Sequence, residues 1–406
     1  MDTIVIVGAG LDVHKKTVVA CVIDGRVTPP RVLKRTFRTF LHDLEGLHAW
    51  LTELGCTHVA MESTGVYWLP VYRVLEPHFT LVLGNARHMA NVPGRKTDLS
   101  DAEWIATLLR HGLIRANFVP PAPIRQLRQL TRFRRKLIQT RTASQLRVQK
   151  LLESTNIKLG AVASEVFGVS GVLMLRHLAA YVSDPVLLAN LAKGKLRSKI
   201  PLLRQALSGT FTSEDADLLA IQLAVIDGLE ERLPDLERLL TQHAAPYEPI
   251  LRRLQTVPGI HRVLAIEILA EIGPDVAPWA NERRLAAWAG VAPGNKQSAD
   301  KRRRAKSRDG NTYLKTALTQ AATSAIKTDP YLRRRYGRIC ARRGQRVATL
   351  AIAHELLVSI YSMLQRGEDY RPPAISDPVV HRDRERQFLV RKLEKLGYQV
   401  SCSATN

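Results

Sequence analysis

Three short runs of β-branched residues precede the first helical pattern in this chain, and few folds begin that way. Residues 3–7 and 17–23 are two such runs; Asp24-Gly25 turns the chain, and a third strand covers Arg31 to Phe37. Leu44, Leu47, Leu51 and Leu54 then place an amphipathic helix over residues 41–54. A strand over His58 to Met61 ends at Glu62, a helix follows over Val66 to Leu75, and a strand over Thr80 to Leu83. A last helix runs through Trp104, Ile105, Leu108 and Leu109. The order β-β-β-α-β-α-β-α predicts a mixed α/β domain over residues 1–115.

That order has a chemical consequence. Asp12 falls at the end of the first strand pattern or on its extension, Glu62 ends the fourth strand, and Asp98 and Asp101 open the last helix. Asp98 or Ser100 can cap that helix, and acids three apart would project from one helical face. Carboxylates this close repel, and a bound cation offsets the repulsion. Hard oxygen donors suit Mg²⁺ or Mn²⁺, and two such ions about 4 Å apart can assist phosphodiester cleavage. The plain alternatives are that first-turn acids complement the helix dipole, or that the four are unrelated surface residues. Val7-Gly8-Ala9-Gly10 also resembles a dinucleotide fingerprint, but Val13 stands at the third glycine and a strand follows where a helix is required.

Sixty Lys and Arg against 37 Asp and Glu leave a formal charge of +23, which points to a polyanionic partner. A hydrophobic fraction of 45% argues for a folded chain, and no apolar run is expected to approach the roughly 18 residues of a membrane span. The N-terminus does not read as a signal peptide. Cys21, Cys56, Cys340 and Cys402 lack any Cys-x-x-Cys spacing and read as reduced thiols.

Pro120-Pro121-Ala122-Pro123 marks a boundary. From Arg125 to Lys150 there are nine Lys and Arg and no acid, over an apolar stripe of Ile124, Leu127, Leu130, Phe133, Leu137 and later Leu146. Such a helix binds phosphates, pairs as a coiled coil, or shows a solvated basic face. Arg125, Arg128, Arg132, Arg134, Arg135 and Lys136 are its candidate nucleic-acid contacts. Residues 182–240 carry balanced charge with Leu218, Leu219, Ile221, Leu223, Ile226 and Leu229 as a packing stripe, a helical spacer or dimerisation element.

Further on, Val257-Pro258-Gly259-Ile260 separates two helical patterns, as a phosphate-binding helix-hairpin-helix or as an ordinary helical core. Gly294-Asn295 predicts a turn that presents Gln297 and Ser298 on a loop. Seven Lys and Arg lie between Lys296 and Arg308, among them Lys301, Arg302, Arg303 and Arg304. A serine there either donates a hydrogen bond to phosphate or, if activated, attacks it. Arg333 to Arg346 form another basic cluster with little aromatic interleaving, and residues 371–406 read as a charged tail of little function.

Leu11-Asp12-Val13-His14-Lys15-Lys16, Met61-Glu62-Ser63-Thr64-Gly65-Val66-Tyr67 and Lys96-Thr97-Asp98-Leu99-Ser100-Asp101-Ala102 together resemble the DEDD transposases of bacterial insertion sequences. This is the insertion-sequence-one-ten family, akin to the Piv invertase. Ala289 to Asn295, Ser298 and Gly310-Asn311-Thr312-Tyr313-Leu314 resemble its second, transposase domain. The resemblance implies a RuvC-like, RNase H-related domain over residues 1–115 and a basic helical coiled-coil linker over 116–250. A mainly α transposase domain would then cover 251–370. It places the metal-binding, catalytic acids on Asp12, Glu62, Asp98 and Asp101 and the catalytic serine on Ser298, with Ser307 as competitor. It implies Mg²⁺ or Mn²⁺, donor and target DNA, a structured bridge RNA, and a homo-oligomer, dimer or tetramer, in the bacterial cytoplasm at the nucleoid. Metal-assisted attack by serine on a DNA phosphate, strand exchange and religation would follow, at a site shared between domains. A RuvC-like junction-resolving nuclease would need the acids without the serine. A non-catalytic nucleic-acid-binding protein would need neither.

Overall fold

The computed structural model describes residues 3–63, 65–85, 88, 89, 92, 100–294 and 310–372, a few positions beyond, and 296–298 and 301–303 by backbone alone. The chain divides into two compact units at the proline stretch, Met1–Val119 and Pro120–Asn406.

The first unit is built on five strands: β1 (Val7–Val13), β2 (Thr17–Asp24), β3 (Arg31–Arg38), β4 (His58–Glu62) and β5 (Thr80–Gly84). Helices α1 (Leu41–Glu53), α2 (Trp68–Leu75) and α3 (Asp101–Arg110) complete it, in the order the sequence predicts. The sheet order is β3-β2-β1-β4-β5, with β1, β2 and β3 antiparallel and β4 and β5 parallel to β1. Because side chains alternate across a strand, Ala9, Leu11 and Val13 of β1 face one way, onto Leu44, Leu47 and Leu51 of α1 and Val71 and Leu75 of α2. The opposite face takes α3: Ala102 and Ala106 pack on Cys21 and Ile23, and Trp104, Ile105 and Leu108 pack near Ala60.

The glycines of the Val7-Gly8-Ala9-Gly10 run serve this second contact. A Cβ on Gly10 would lie 2.2 Å from the Ala102 carbonyl oxygen and 2.3 Å from the Ala106 nitrogen, so the helix backbone rests on the strand itself. The Arg110 carbonyl accepts from the amides of Ile4 and Val5 at 2.8 and 3.2 Å. The helix therefore ends beside residues 4–5 and starts near the far end of β1, where Asp12 sits. Burial holds the Cys21 and Cys56 thiols up, to about 11 and about 12, which keeps both protonated and unreactive.

The second unit is helical. Its long members are α4 (Ala122–Ser154) and, after the short helices α5 (Leu159–Val162), α6 (Val169–Ala179), α7 (Pro185–Asn190) and α8 (Ile200–Ala206), α9 (Ser213–Ala244). Arg134 pairs with Glu237 at 2.8 Å and Arg141 with Glu230 at 3.6 Å, and Val148 and Leu152 pack in one core with Leu219, Leu223 and Ile226. Rising numbers on one helix meet falling numbers on the other, so the two form an antiparallel pair within one chain. Of the expected stripe on α9, Leu219, Leu223 and Ile226 are buried, while Leu218 and Ile221 are exposed.

Beyond this pair come α10 (Glu248–Gln255), α11 (Arg262–Ile272), α12 (Glu282–Ala289), α13 (Thr312–Thr328), α14 (Pro330–Arg343) and α15 (Gln345–Arg366). Gly259, at φ +78°, turns the chain between α10 and α11, and a Cβ there would meet the Ala321 carbonyl oxygen of α13 at 2.2 Å. The turn glycine is thus required by helix packing, which favours the ordinary-core reading of the hairpin. Among the described residues, α15 is one helix long and apolar enough to cross a membrane, contrary to the expectation that no run reaches that length. Its Ile352, Leu356, Leu357 and Ile360 are fully buried against neighbouring helices, as in the core of a soluble unit.

Replacing Gly10 by Ala forces the α3 backbone off β1, an overpacking that costs about 1–3 kcal/mol. The expected outcome is a lower urea midpoint for Gly10→Ala, while Gly46→Ala, on open helix surface, leaves it unchanged or raises it.

Candidate catalytic and nucleic-acid sites

Three of the four predicted acids lie within the described part of the first unit, and the topology sends them to one corner. Leu11 pairs with Met61 across the parallel β1–β4 ladder, and both are buried under α1 and α2. The next residues, Asp12 and Glu62, therefore point to the other face, the one covered by α3. Asp101 is the first residue of α3, at the end that approaches Asp12. Ser100 caps the helix: its backbone is extended (φ −64°, ψ 153°) and its hydroxyl accepts from the Glu103 amide at 3.4 Å.

The helix thus begins at Asp101, so the expectation that Asp98 and Asp101 share one helical face loses its basis. Asp98 itself lies outside the described residues. Among the described residues, no three His, Cys, Asp or Glu side chains come together closely enough to hold a metal ion. The donor set nonetheless has the right chemistry, hard carboxylate oxygens at strand ends and a helix start.

Several neighbours of this corner carry roles the sequence reading did not assign. His14 Nε2 stands 3.0 Å from Asp12 Oδ2, closing the turn after β1 over the carboxylate. The Ser63 hydroxyl accepts from Asn117 Nδ2 at 3.1 Å, and the Ser63 amide donates to Gly84 at 3.0 Å, so the chain after Glu62 is tied on two sides. Glu103 pairs with Lys34 of β3 at 2.6 Å, which holds the lysine above its ordinary pKa and joins α3 to the sheet edge. His14 and Ser63 stood in the quoted motifs; Asn117 had no local signal, because its contact spans 54 residues.

In the second unit, Ser298 ends the strand β6 (Lys296–Ser298), which pairs antiparallel with β7 (Lys301–Arg303). The expected loop is therefore a short ladder, with Ser298 opposite Lys301 and Gln297 opposite Arg302. Ser307 and Arg304 lie outside the described residues. The two ends of this segment meet at a tight neck. The Asn311 amide donates to the Trp288 carbonyl at 2.9 Å, and a Cβ on Gly310 would lie 2.3 Å from the Gly290 nitrogen.

The neck is anchored by a carboxylate the sequence analysis passed over. Glu271, on α11, is only 2% exposed. Arg132 forks onto it with two bonds of 2.8 Å, and Asn311 Nδ2 donates to it at 2.6 Å. The same Asn311 caps α13 by accepting from the amides of Tyr313 and Leu314 at 3.0 and 3.1 Å. Arg128 donates to the carbonyls of Ala270 and Glu271 at 2.9 and 2.7 Å, and burial lowers its guanidinium to about 10, still charged at neutral pH. Arg132 and Arg135 stack on Tyr313 at 4.4 and 5.5 Å. Two acids in the apolar run 263–272, Glu267 and Glu271, were the available signal, since a buried carboxylate demands cationic partners.

This changes the account of the basic helix. Arg128, Arg132, Arg134 and Arg135 are engaged inside the unit, and Arg125 donates to the Pro120 carbonyl at 2.9 Å. A guanidinium with its donors satisfied internally must break those bonds to take a phosphate. Lys136 is exposed. Removing the anchor has a measurable cost: Glu271→Ala leaves two guanidinium groups without their carboxylate and is expected to lower the unfolding free energy by about 3 kcal/mol. Urea denaturation of the full chain, with Glu271→Gln retaining part of the loss, checks this.

Two family models match the chain, one for a DEDD transposase over residues 9–157 and one described as "Transposase IS116/IS110/IS902 family" over residues 251–337. The transposase for insertion sequence element IS1111A of Coxiella burnetii is 25% identical over 378 residues, 89% of this chain and 90% of that protein. A putative transposase of Sinorhizobium fredii is 26% identical over 285 residues, 68% of this chain and 64% of that protein. The first match spans the acid corner and the second spans Glu271, the neck and Ser298. The chain belongs to the IS110 family of transposases, enzymes that act on DNA.

Proposed function

We propose that this chain cuts and rejoins DNA to move an insertion sequence, using a divalent metal held by carboxylates and a serine nucleophile. The observation that supports the reading is that Asp12 and Glu62 project from the sheet face that α3 covers, with Asp101 the first residue of α3 and α3 seated on β1 at Gly10. Asp98 is the fourth member of this set. The sheet order, three antiparallel strands extended by two parallel ones, supports a RuvC-like, RNase H-related unit. Mg²⁺ or Mn²⁺ bound there would polarise a phosphodiester and neutralise developing charge. His14 orients the Asp12 carboxylate, and the Ser63–Asn117 bond holds the chain that carries Glu62.

Ser298 is the nucleophile in this reading. Its Oγ attacks a DNA phosphorus, an Oγ–P bond forms, and the P–O bond to the neighbouring deoxyribose breaks, that oxygen taking a proton. Attack by a deoxyribose hydroxyl of the new partner strand reverses these steps and releases the serine, so bond energy is conserved without hydrolysis. Lys301 and Arg302, opposite Ser298 and Gln297 in the ladder, bring positive charge to the same short element. A structured bridge RNA choosing donor and target, and assembly as a dimer or tetramer, are part of the proposal and draw support from the family and the +23 charge.

Asp12→Ala, Glu62→Ala or Asp101→Ala should each lower recombination of a donor–target plasmid pair by about 10³-fold or more while DNA binding in gel shift is kept. Normal recombination by Glu62→Ala would refute the metal site. Ser298→Ala should abolish the covalent protein–DNA adduct seen on denaturing gels. An adduct that survives Ser298→Ala and vanishes in Ser307→Ala moves the nucleophile to Ser307, and cutting without any adduct in the unmutated chain favours the junction-resolving nuclease.

A further inference from the structure

Helices α14 and α15 meet residues 291–293 around an open cleft of about 330 Å³. Its lining has two chemistries. Ile339, Val347 and Leu350 present apolar surface, and Arg335, Arg342 and Arg343 bring three guanidinium groups. None of the described residues that line it is acidic. Arg335 is held by Glu355, which also accepts from the Tyr331 hydroxyl at 3.0 Å, and Arg342 Nε donates to the Arg338 carbonyl at 3.2 Å. The Glu355 carboxylate offsets the charge of Arg335, while the neutral Arg338 carbonyl fixes Arg342 and leaves its charge uncompensated. His354 completes the lining, and burial lowers its pKa, so it offers a neutral ring.

The size lies near the lower end of small-ligand sites, about 300–1,000 Å³. An apolar wall beside flat cations suits a ligand with a flat hydrophobic face and an anionic group. Inorganic phosphate would leave the apolar wall unused. A base pair inside a duplex cannot present its face, because that face is stacked on its neighbours. An unpaired base can, and guanidinium and imidazole planes are common stacking partners for one. Residues 291–293 precede in sequence the segment that carries Ser298.

We propose that this cleft holds one unpaired nucleotide of a nucleic-acid strand, its base against Ile339, Val347 and Leu350 and its phosphate on Arg342 and Arg343. The inference rests on the reading of the chain as a nucleic-acid enzyme and names a contact within it. It assigns the basic cluster of α14 the phosphate contact and the neighbouring apolar wall the base.

The test uses the full chain and fluorescence anisotropy with three probes: labelled oligothymidylate and oligouridylate of about 15 nucleotides, near the site size of single-strand grooves, and a duplex of the same length. Val347→Glu puts a carboxylate into the apolar wall at a position already 45% exposed. It should weaken single-strand binding roughly tenfold, the scale of one lost stacking contact, and leave duplex binding unchanged within about twofold. Arg334→Ala, the same change in charge on α14 outside the cleft, should weaken strand and duplex alike. Loss confined to oligothymidylate assigns the nucleotide to DNA, and loss confined to oligouridylate assigns it to RNA. Equal loss on strand and duplex, or no loss, in Val347→Glu overturns the cleft proposal and leaves the recombinase reading standing. If Val347→Glu does not fold by circular dichroism, Ile339→Gln, a half-buried wall position on α14, decides by the same comparison. A wild-type chain that binds none of the three probes overturns both readings.

Discussion

A helix backbone resting on a strand backbone sets the geometry of the first unit. Gly10 has no side chain, so the Ala102–Ala106 turn of α3 sits directly on β1, closer than any Cβ allows. The amides of Ile4 and Val5 bond the end of the same helix, which leaves its start beside Asp12. With both ends registered, Asp101 arrives where the C-terminal ends of β1 and β4 deliver Asp12 and Glu62. Van der Waals contact and two backbone hydrogen bonds thus fix the helix against the strand, with Asp101 at its start. The same contact explains a glycine pattern that, by sequence alone, borders on a nucleotide-binding fingerprint.

The second unit has a corresponding constraint in a buried charge. Glu271 is costly to desolvate, and the cost is offset by Arg132, Arg128 and Asn311 arriving from α4 and the start of α13. Because Asn311 also caps α13 and closes the neck at Trp288 and Gly290, one carboxylate ties four chain segments at the root of the basic ladder. Much of the positive charge on α4 is therefore structural. The surplus that remains for a polyanion lies elsewhere in the unit, including the exposed arginines of α14.

The element order of the first unit was legible because its signals are local: β-branched runs, a leucine repeat and a serine cap each act within a few residues. The shared sheet face of Asp12 and Glu62 was not legible, since it depends on strand order and on which face of the sheet α3 covers. Asn117 and Lys34 were invisible for the same reason. The serine ladder was read as a loop because three-residue strands, rich in Lys and Arg, carry no periodic hydrophobic pattern. The arginines of α4 misled in the opposite way: spacing shows that charges share a helix, and says nothing of partners 100 or more residues distant.

By itself the sequence determined the succession of strands and helices in the first unit, the break at the prolines and the net positive charge. These follow from backbone preference, side-chain period and composition, all short-range or additive. Only the tertiary structure decided that glycines 10, 259 and 310 are packing requirements, that α4 and α9 pair antiparallel within one chain, and that Glu271 consumes arginines that look free in one dimension. Each of those depends on which distant atoms come within a few ångströms, where desolvation and excluded volume outweigh local preference.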